Sequence, residues 1–255
     1  MAILMQKELK QIIKRFRIKD IPKLTPEQIA EHDRQVEERL VSQYKQSKAD
    51  NFLKLRSLYN EKNVLNSSFK NVEPVSDEFK VIAQKSAQMA KEIASGQRYN
   101  IILSGTAGAG KTMLATCILN YVSKHSTKPT NCLFLSVSEL ADLAYSQYSR
   151  EEYDRQARYH QLFKDIKDTD VLLLDDLGTE SSMQANTQEA ANTIQKALFR
   201  IGDLMQGKCI IITTNNTERQ LCSIYNAKIV SRLLTSNKEH ILNFGNVEDY
   251  RKAHN

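Results

Sequence analysis

The sequence predicts an α/β fold, a three-layer domain with a central parallel sheet, preceded by a small all-α N-terminal domain. Two observations carry that reading. Short apolar runs at Ile101-Ile102-Leu103, Val171-Leu172-Leu173-Leu174 and Cys209-Ile210-Ile211-Ile212 suit strands buried on both faces. Helical patterns separate those runs, the alternation that builds a parallel sheet.

Taken in order, residues 3–19 read as a basic amphipathic helix. Leu4, Ile12, Ile13 and Phe16 oppose Lys7, Lys10, Lys14, Arg15, Arg17 and Lys19. Ile21-Pro22 breaks it. Thr25-Pro26-Glu27-Gln28 then starts a second helix: Thr25 caps, Pro26 takes the first helical position and Gln28 completes a capping box. That helix runs to about Tyr59, uninterrupted by Gly or Pro after its start, with Ile29, Val36, Leu40, Tyr44, Phe52, Leu55 and Tyr59 near one side. So thin a stripe buries little alone and should pack on the shorter helix, on a partner protein, or on both. Residues 61–75 lose periodicity and read as a linker. Ser76-Asp77-Glu78 opens a helix to about Ser95, with acids in its first turn.

Next comes the most informative stretch. After the strand at 101–103, Gly105-Thr106-Ala107-Gly108-Ala109-Gly110-Lys111-Thr112 fits G-x-x-x-x-G-K-[ST], and the pattern turns helical beyond it. Glycines allow torsions and close approach that a Cβ would block, so successive N–H groups can face phosphate oxygens. The following helix turns its positive N-terminus to the same anion. Lys111 is expected to reach the β- and γ-phosphates, and the Thr112 hydroxyl to ligate Mg²⁺.

A second strand is expected at 132–137, with a helix from Ser138. Residues 142–167 interleave Tyr145, Tyr148, Tyr153 and Tyr159 with Arg150, Arg155, Arg158, Lys164 and Lys167. That mixture can track single-stranded nucleic acid, although tyrosines at helical spacing more often pack on the domain surface and acids are present too. The run 171–174 ends in Asp175-Asp176, as a central strand does whose carboxyl end faces a nucleotide. Asp175 would hold Mg²⁺, mostly through water, and Asp176 would polarise or orient the attacking water. After a helix from about Thr187 to Met205, the strand at 209–215 ends at Asn215, whose amide can position water beside the γ-phosphate. No NKxD tetrad is present, so ATP is favoured over GTP. A short helix over 228–234 carries Arg232, and Ile241–Phe244 reads as a final edge strand.

Composition narrows the classes. Of 255 residues, 41% are apolar and 26% charged, enough for a core under a soluble surface. No run of about 18 apolar residues occurs, and the N-terminus is a poor secretory signal. No membrane partner and a cytoplasmic location are therefore expected. Cys117, Cys132, Cys209 and Cys222 form no C-x-x-C pair and read as reduced thiols, mostly buried. Residues 1–65 carry 14 Lys/Arg against 9 Asp/Glu, nearly all of the net charge of +6. The basic character therefore sits in the N-terminal domain.

Together LSGTAGAGKTMLA, LLLDDLGTE, IIITTNN, KIVSRLL and EDYRK resemble the DnaC/DnaI helicase loaders of the AAA+ superfamily, with the transposon helper IstB in the same group. The resemblance covers roughly residues 65–255 and implies a P-loop AAA+ fold. It implies Asp175 and Asp176 as the Walker B pair, Asn215 as sensor 1, and Arg232 as the arginine finger completing a neighbouring subunit's site. Arg251 is a weaker match to a C-terminal arginine of the family. The Tyr/Arg-rich segment falls where related initiators line a path for single-stranded DNA. DnaI-type loaders carry a cysteine-based zinc module, but residues 1–116 contain no cysteine, so no zinc site is expected.

The division implied is 1–65, a helical partner-binding domain, and 66–255, the ATPase. The function implied is ATP-dependent loading of the hexameric replicative helicase (DnaB/DnaC-type) in replication initiation. The helicase would be gripped through the N-terminal domain, with single-stranded DNA bound and ATP turned over slowly on homo-oligomeric assembly. The alternative is an IstB-like transposition helper acting on duplex DNA.

Overall fold

In a computed structural model of the chain, residues 25–60, 63–146, 153–179, 188–247 and 250 are described. The basic helix expected over 3–19, together with Tyr148, Arg150, Glu180 and Arg251, lies outside them. Contacts divide the chain into two units, Met1–Tyr44 and Lys45–Asn255.

Helix α1, Pro26–Arg56, begins at the expected cap: Thr25 N–H donates to Gln28 Oε1 at 2.9 Å and Gln28 N–H to Thr25 Oγ1 at 3.2 Å. It stops three residues short of Tyr59 because the chain leaves helical geometry to pair with a strand. Leu58 N–H donates to Phe134 O and Leu58 O accepts from Ser136 N–H, each at 2.9 Å. Along α1 the environment changes. Ile29, Val36, Leu40 and Tyr44 are exposed, whereas Ala49 and Leu53 are buried in the larger unit.

Residues 63–72, read as a linker, instead form two 3₁₀ turns, Val64–Asn66 and Phe69–Asn71. The buried Asn120 amide donates to Leu65 O and Ser67 O, both at 2.8 Å, and fixes the first turn. Residues 45–65, grouped by sequence with the N-terminal domain, thus pack within the larger unit.

Helix α2, Asp77–Ala94, starts where Ser76 Oγ accepts from Phe79 N–H at 3.1 Å. Then follow β1 Ile101–Ser104, α3 Lys111–His125, β2 Cys132–Ser136, α4 Val137–Ser146, α5 Tyr153–Asp168 and β3 Val171–Asp175. The remainder is α6 Gln188–Leu204, β4 Cys209–Thr214, α7 Glu218–Ile224, α8 Ala227–Leu233 and β5 Ile241–Asn243. The five strands form one parallel sheet in the order β2-β3-β4-β1-β5.

Side chains alternate across each strand, so the sheet feeds two cores. Leu133, Leu135, Leu172, Leu174, Ile210 and Ile212 join a core completed by α4, α5, α6 and α8. Ile101, Leu103, Phe134, Leu173 and Ile211 join the other, closed by α2 and α3. This is the three-layer α/β arrangement expected.

Helix α5 corrects one expectation. Tyr159 is 7% exposed and packs edge-on against Phe163, with ring centroids 4.9 Å apart. With Leu162, Phe163 and Ile166 it forms the helix's core stripe, so it is not free to stack on a base. Arg155, Arg158, Lys164 and Lys167 lie on the exposed side.

Candidate active site

Ligands of open parallel sheets bind beyond the carboxyl ends of the strands, and here β1, β3 and β4 bring their ends together. Between β1 and α3 the glycine-rich loop folds tightly. Gly105 has φ 146°, and a Cβ there would lie 2.7 Å from Phe244, so only glycine lets the loop pass this close to the chain after β5. Phe79, Phe244 and Tyr250 back the loop as an aromatic cluster, and Tyr250 N–H donates to Gly108 O at 3.0 Å.

Lys111 opens α3 and is 5% exposed. Its Nζ donates to Gly105 O at 3.0 Å, Thr106 O at 2.6 Å and Asn215 Oδ1 at 2.7 Å. An ammonium buried among oxygens inside its own loop is poised for phosphate oxygens, which offer the same acceptor chemistry with charge added. The contact with Asn215 joins the loop to the end of β4, 104 residues away.

The two acids divide. Asp175, at the end of β3, is buried, and its Oδ1 accepts from Thr112 Oγ1 at 2.9 Å and Thr213 Oγ1 at 2.6 Å. Asp176 leaves the strand with φ 59°, the left-handed region that Asp tolerates better than most residues. Its N–H donates to Thr213 Oγ1 at 2.9 Å, and its carbonyl accepts from the Thr179 hydroxyl at 2.7 Å. Gly178 follows with φ 99°; a Cβ there would strike the Asn216 side-chain amide. The turn is thus closed on both sides, and Asp176 lines the cavity that Asp175 underlies.

That cavity measures 320 Å³ and is lined by Ala107, Gly108, Gly110, Lys111, Thr112, Asp176 and Asn215 on the motif side. Asn63, Val64, Ser67, Met113 and Tyr250 close it. Sequence reasoning missed Asn63, Val64, Ser67 and Tyr250 as wall residues, and Thr213 as the hydroxyl serving both acids. A polar strand end and the motif around Tyr250 were the only signals available. Among the described residues lining the cavity none is an arginine. Arg232, on α8, points elsewhere: its Nε donates to Asp203 Oδ1 at 2.6 Å.

The donor set fits a polyphosphate with Mg²⁺. Lys111 would hold phosphate oxygens, and the Thr112 hydroxyl and Asp175 carboxylate form a pair of hard oxygen ligands. Asp176 and Asn215 could hold a water between them and the phosphate end.

Residues 101–234 match the family described as ATPase family associated with various cellular activities (AAA). No curated protein matches the chain. Among solved structures, that of DnaI superposes with a TM-score of 0.53 at 19% identity, covering 76% of this chain and 96% of that one. The DnaC helicase loader gives 0.50 at 19% identity, with 74% and 100% covered. The replication initiator DnaA bound to AMPPCP and single-stranded DNA gives 0.51 at 17%, with 70% of this chain and 49% of that one covered. At these identities the likeness is one of fold.

Proposed function

The chain belongs to the AAA family of ATPases, and on that footing we propose that it loads a hexameric replicative helicase onto single-stranded DNA in an ATP-dependent cycle. The observation that carries this is a nucleotide cavity lined by Lys111, Thr112, Asp176 and Asn215 above Asp175, with Arg232 held outside it on Asp203. On this reading Arg232 of a neighbouring copy completes the site, and slow turnover until assembly suits a timer better than a metabolic enzyme.

Bound MgATP supplies the phosphoryl group that is hydrolysed. Lys111 would neutralise phosphate charge, and Thr112 and Asp175 would hold the metal. Asp176 accepts a hydrogen bond from the attacking water, which Asn215 helps to hold. Arg232 of an adjacent copy stabilises the charge that develops.

The part that grips the helicase is the smaller unit, residues 1–44, with the exposed Ile29, Val36, Leu40 and Tyr44 as apolar contacts. The exposed cations Arg155, Arg158, Lys164 and Lys167 of α5 line the DNA path by charge rather than by Tyr159 stacking. The work is placed in the cytoplasm. Among the described residues no helix is long and apolar enough to cross a membrane.

Gel filtration of the full chain mixed with its cognate hexameric helicase tests the reading. A co-eluting complex that forms with ATP is expected. Separate elution both with and without ATP would sink the loader assignment.

A further inference from the structure

Arg232 is held in an unusually complete seat. Its Nε donates to Asp203 Oδ1 at 2.6 Å and its Nη1 to Lys228 O at 3.0 Å. The guanidinium carbon lies 4.4 Å from the centroid of the Phe199 ring. Below, the aliphatic stem crosses α6 at Gly202, where an added Cβ would come within 2.8 Å of Arg232 Cβ and 3.2 Å of Cδ. Phe199, Gly202 and Asp203 lie within about one turn of α6, so a single helix face supplies ring, gap and carboxylate. The α8 end is tied down too: Asn100 donates to Leu233 O at 3.0 Å and accepts from Ile210 N–H at 3.0 Å.

These contacts do little for stability, because the pair is part-exposed, with 26% and 43% of the two side chains accessible. Their effect is geometric. A long side chain loses much rotamer freedom, and a guanidinium anchored by Nε, Nη1 and one face has Nη2 left to present. Among the described residues Nη2 has no hydrogen-bond partner.

The geometry points to Phe199, Gly202 and Asp203 as a presenting cradle: positioning residues that hold the Arg232 guanidinium ready for the phosphate of a neighbouring copy. This rests on the reading of Arg232 as a residue that acts in trans. The cradle moves the ordering of the arginine from the moment of reaction to the moment of folding. It differs from a latch, in which Asp203 would compete with the phosphate and its removal would speed turnover.

The test is ATP turnover per subunit of the full chain at rising protein concentration, with single-stranded DNA and the cognate helicase present. Asp203→Asn is expected to lower assembly-dependent kcat by about 10- to 100-fold, the range for a misplaced group, with KM unchanged. Asp203→Glu should recover most of the loss. In the Arg232→Ala background Asp203→Asn should have no further effect. Gly202→Ala pushes on the arginine stem at its root, 2.8 Å from the added Cβ, so it should lose turnover together with some stability. Asp203→Asn, at a part-exposed pair, should instead unfold at the parent's urea midpoint and yet lose turnover. Wild-type or faster turnover in Asp203→Asn overturns the cradle alone, as does a loss that adds to that of Arg232→Ala. Wild-type turnover in Arg232→Ala removes the trans-acting arginine, and the cradle with it.

Discussion

Two cations illustrate two ways of building half a site. Lys111 is 5% exposed and sits within its own loop, surrounded by oxygens contributed by residues 105, 106 and 215. Arg232 has an accessible side chain on the α6–α8 face, steered by one carboxylate, one carbonyl and one ring. The first has its partners within a single chain, whereas on the proposed reading the second acts on the nucleotide of a neighbouring copy. Binding and turnover should therefore separate by concentration: a dilute subunit binds nucleotide, and only a crowded one spends it.

Substitutions can sharpen or break that contrast. The largest effect belongs to Lys111→Ala, which removes several charge-assisted hydrogen bonds. ATP affinity of the isolated subunit should fall by about 100-fold or more, read by titration with a fluorescent analogue. An unchanged affinity would mean that the loop binds through its backbone alone. A smaller effect is expected of Thr213→Val. Valine keeps the shape of a fully buried side chain but takes away one hydroxyl from Asp175 Oδ1 and from the Asp176 N–H. About 1–3 kcal/mol of stability should be lost, with a weaker metal dependence of nucleotide binding, seen in urea unfolding with and without MgATP.

The smallest effect on nucleotide handling, in fact none, is expected from labelling Cys222. It is exposed on α7, whereas Cys117, Cys132 and Cys209 are buried. Burial pushes the Cys117 and Cys209 thiols from 9.0 up to about 12, and the Cys132 thiol up as well. At pH 8 a thiol reagent should modify one cysteine per native chain and four in urea, as counted by mass. The raised values set a sign for stability. The three buried thiols stay protonated in the fold, so their contribution is whole below about pH 9. It declines as pH rises from there toward about 12, because the unfolded chain sheds protons first. The urea midpoint should drop between pH 8 and pH 10.

What could be read in the sequence was what is encoded locally. The strands announce themselves as apolar runs, the loop as an unbroken motif, and the starts of α1 and α2 as caps that the structure realises atom by atom. What escaped depends on distant partners. Asn63 and Ser67 have the composition of a linker, and the Asn120 amide, with Val64 and Leu65 packed against the core, makes their segment a cavity wall. Tyr159 stands among arginines and lysines, and only its helical phase relative to Leu162 and Phe163 turns it inward. Helix α1 was drawn too long because nothing local marks Leu58 as a pairing residue; the edge of β2 does that. Arg232 stands out in the sequence only through its motif, and its seat joins residues 29 positions apart and leaves no pattern along the chain.

That pairing of Leu58 bears on how copies can meet. An open sheet has two rims, and a bare rim invites another chain to continue it. One rim is β2, and residues 57–59 lie along it: Leu58 bridges to Leu135, and Ser57 Oγ takes the Phe134 N–H at 2.9 Å. The other is β5, only three residues long. Neither offers a stretch that a second sheet could extend. An assembly of the kind proposed would thereby be turned away from strand-to-strand joining, which is hard to undo, and toward side-chain contacts that a nucleotide can make and release.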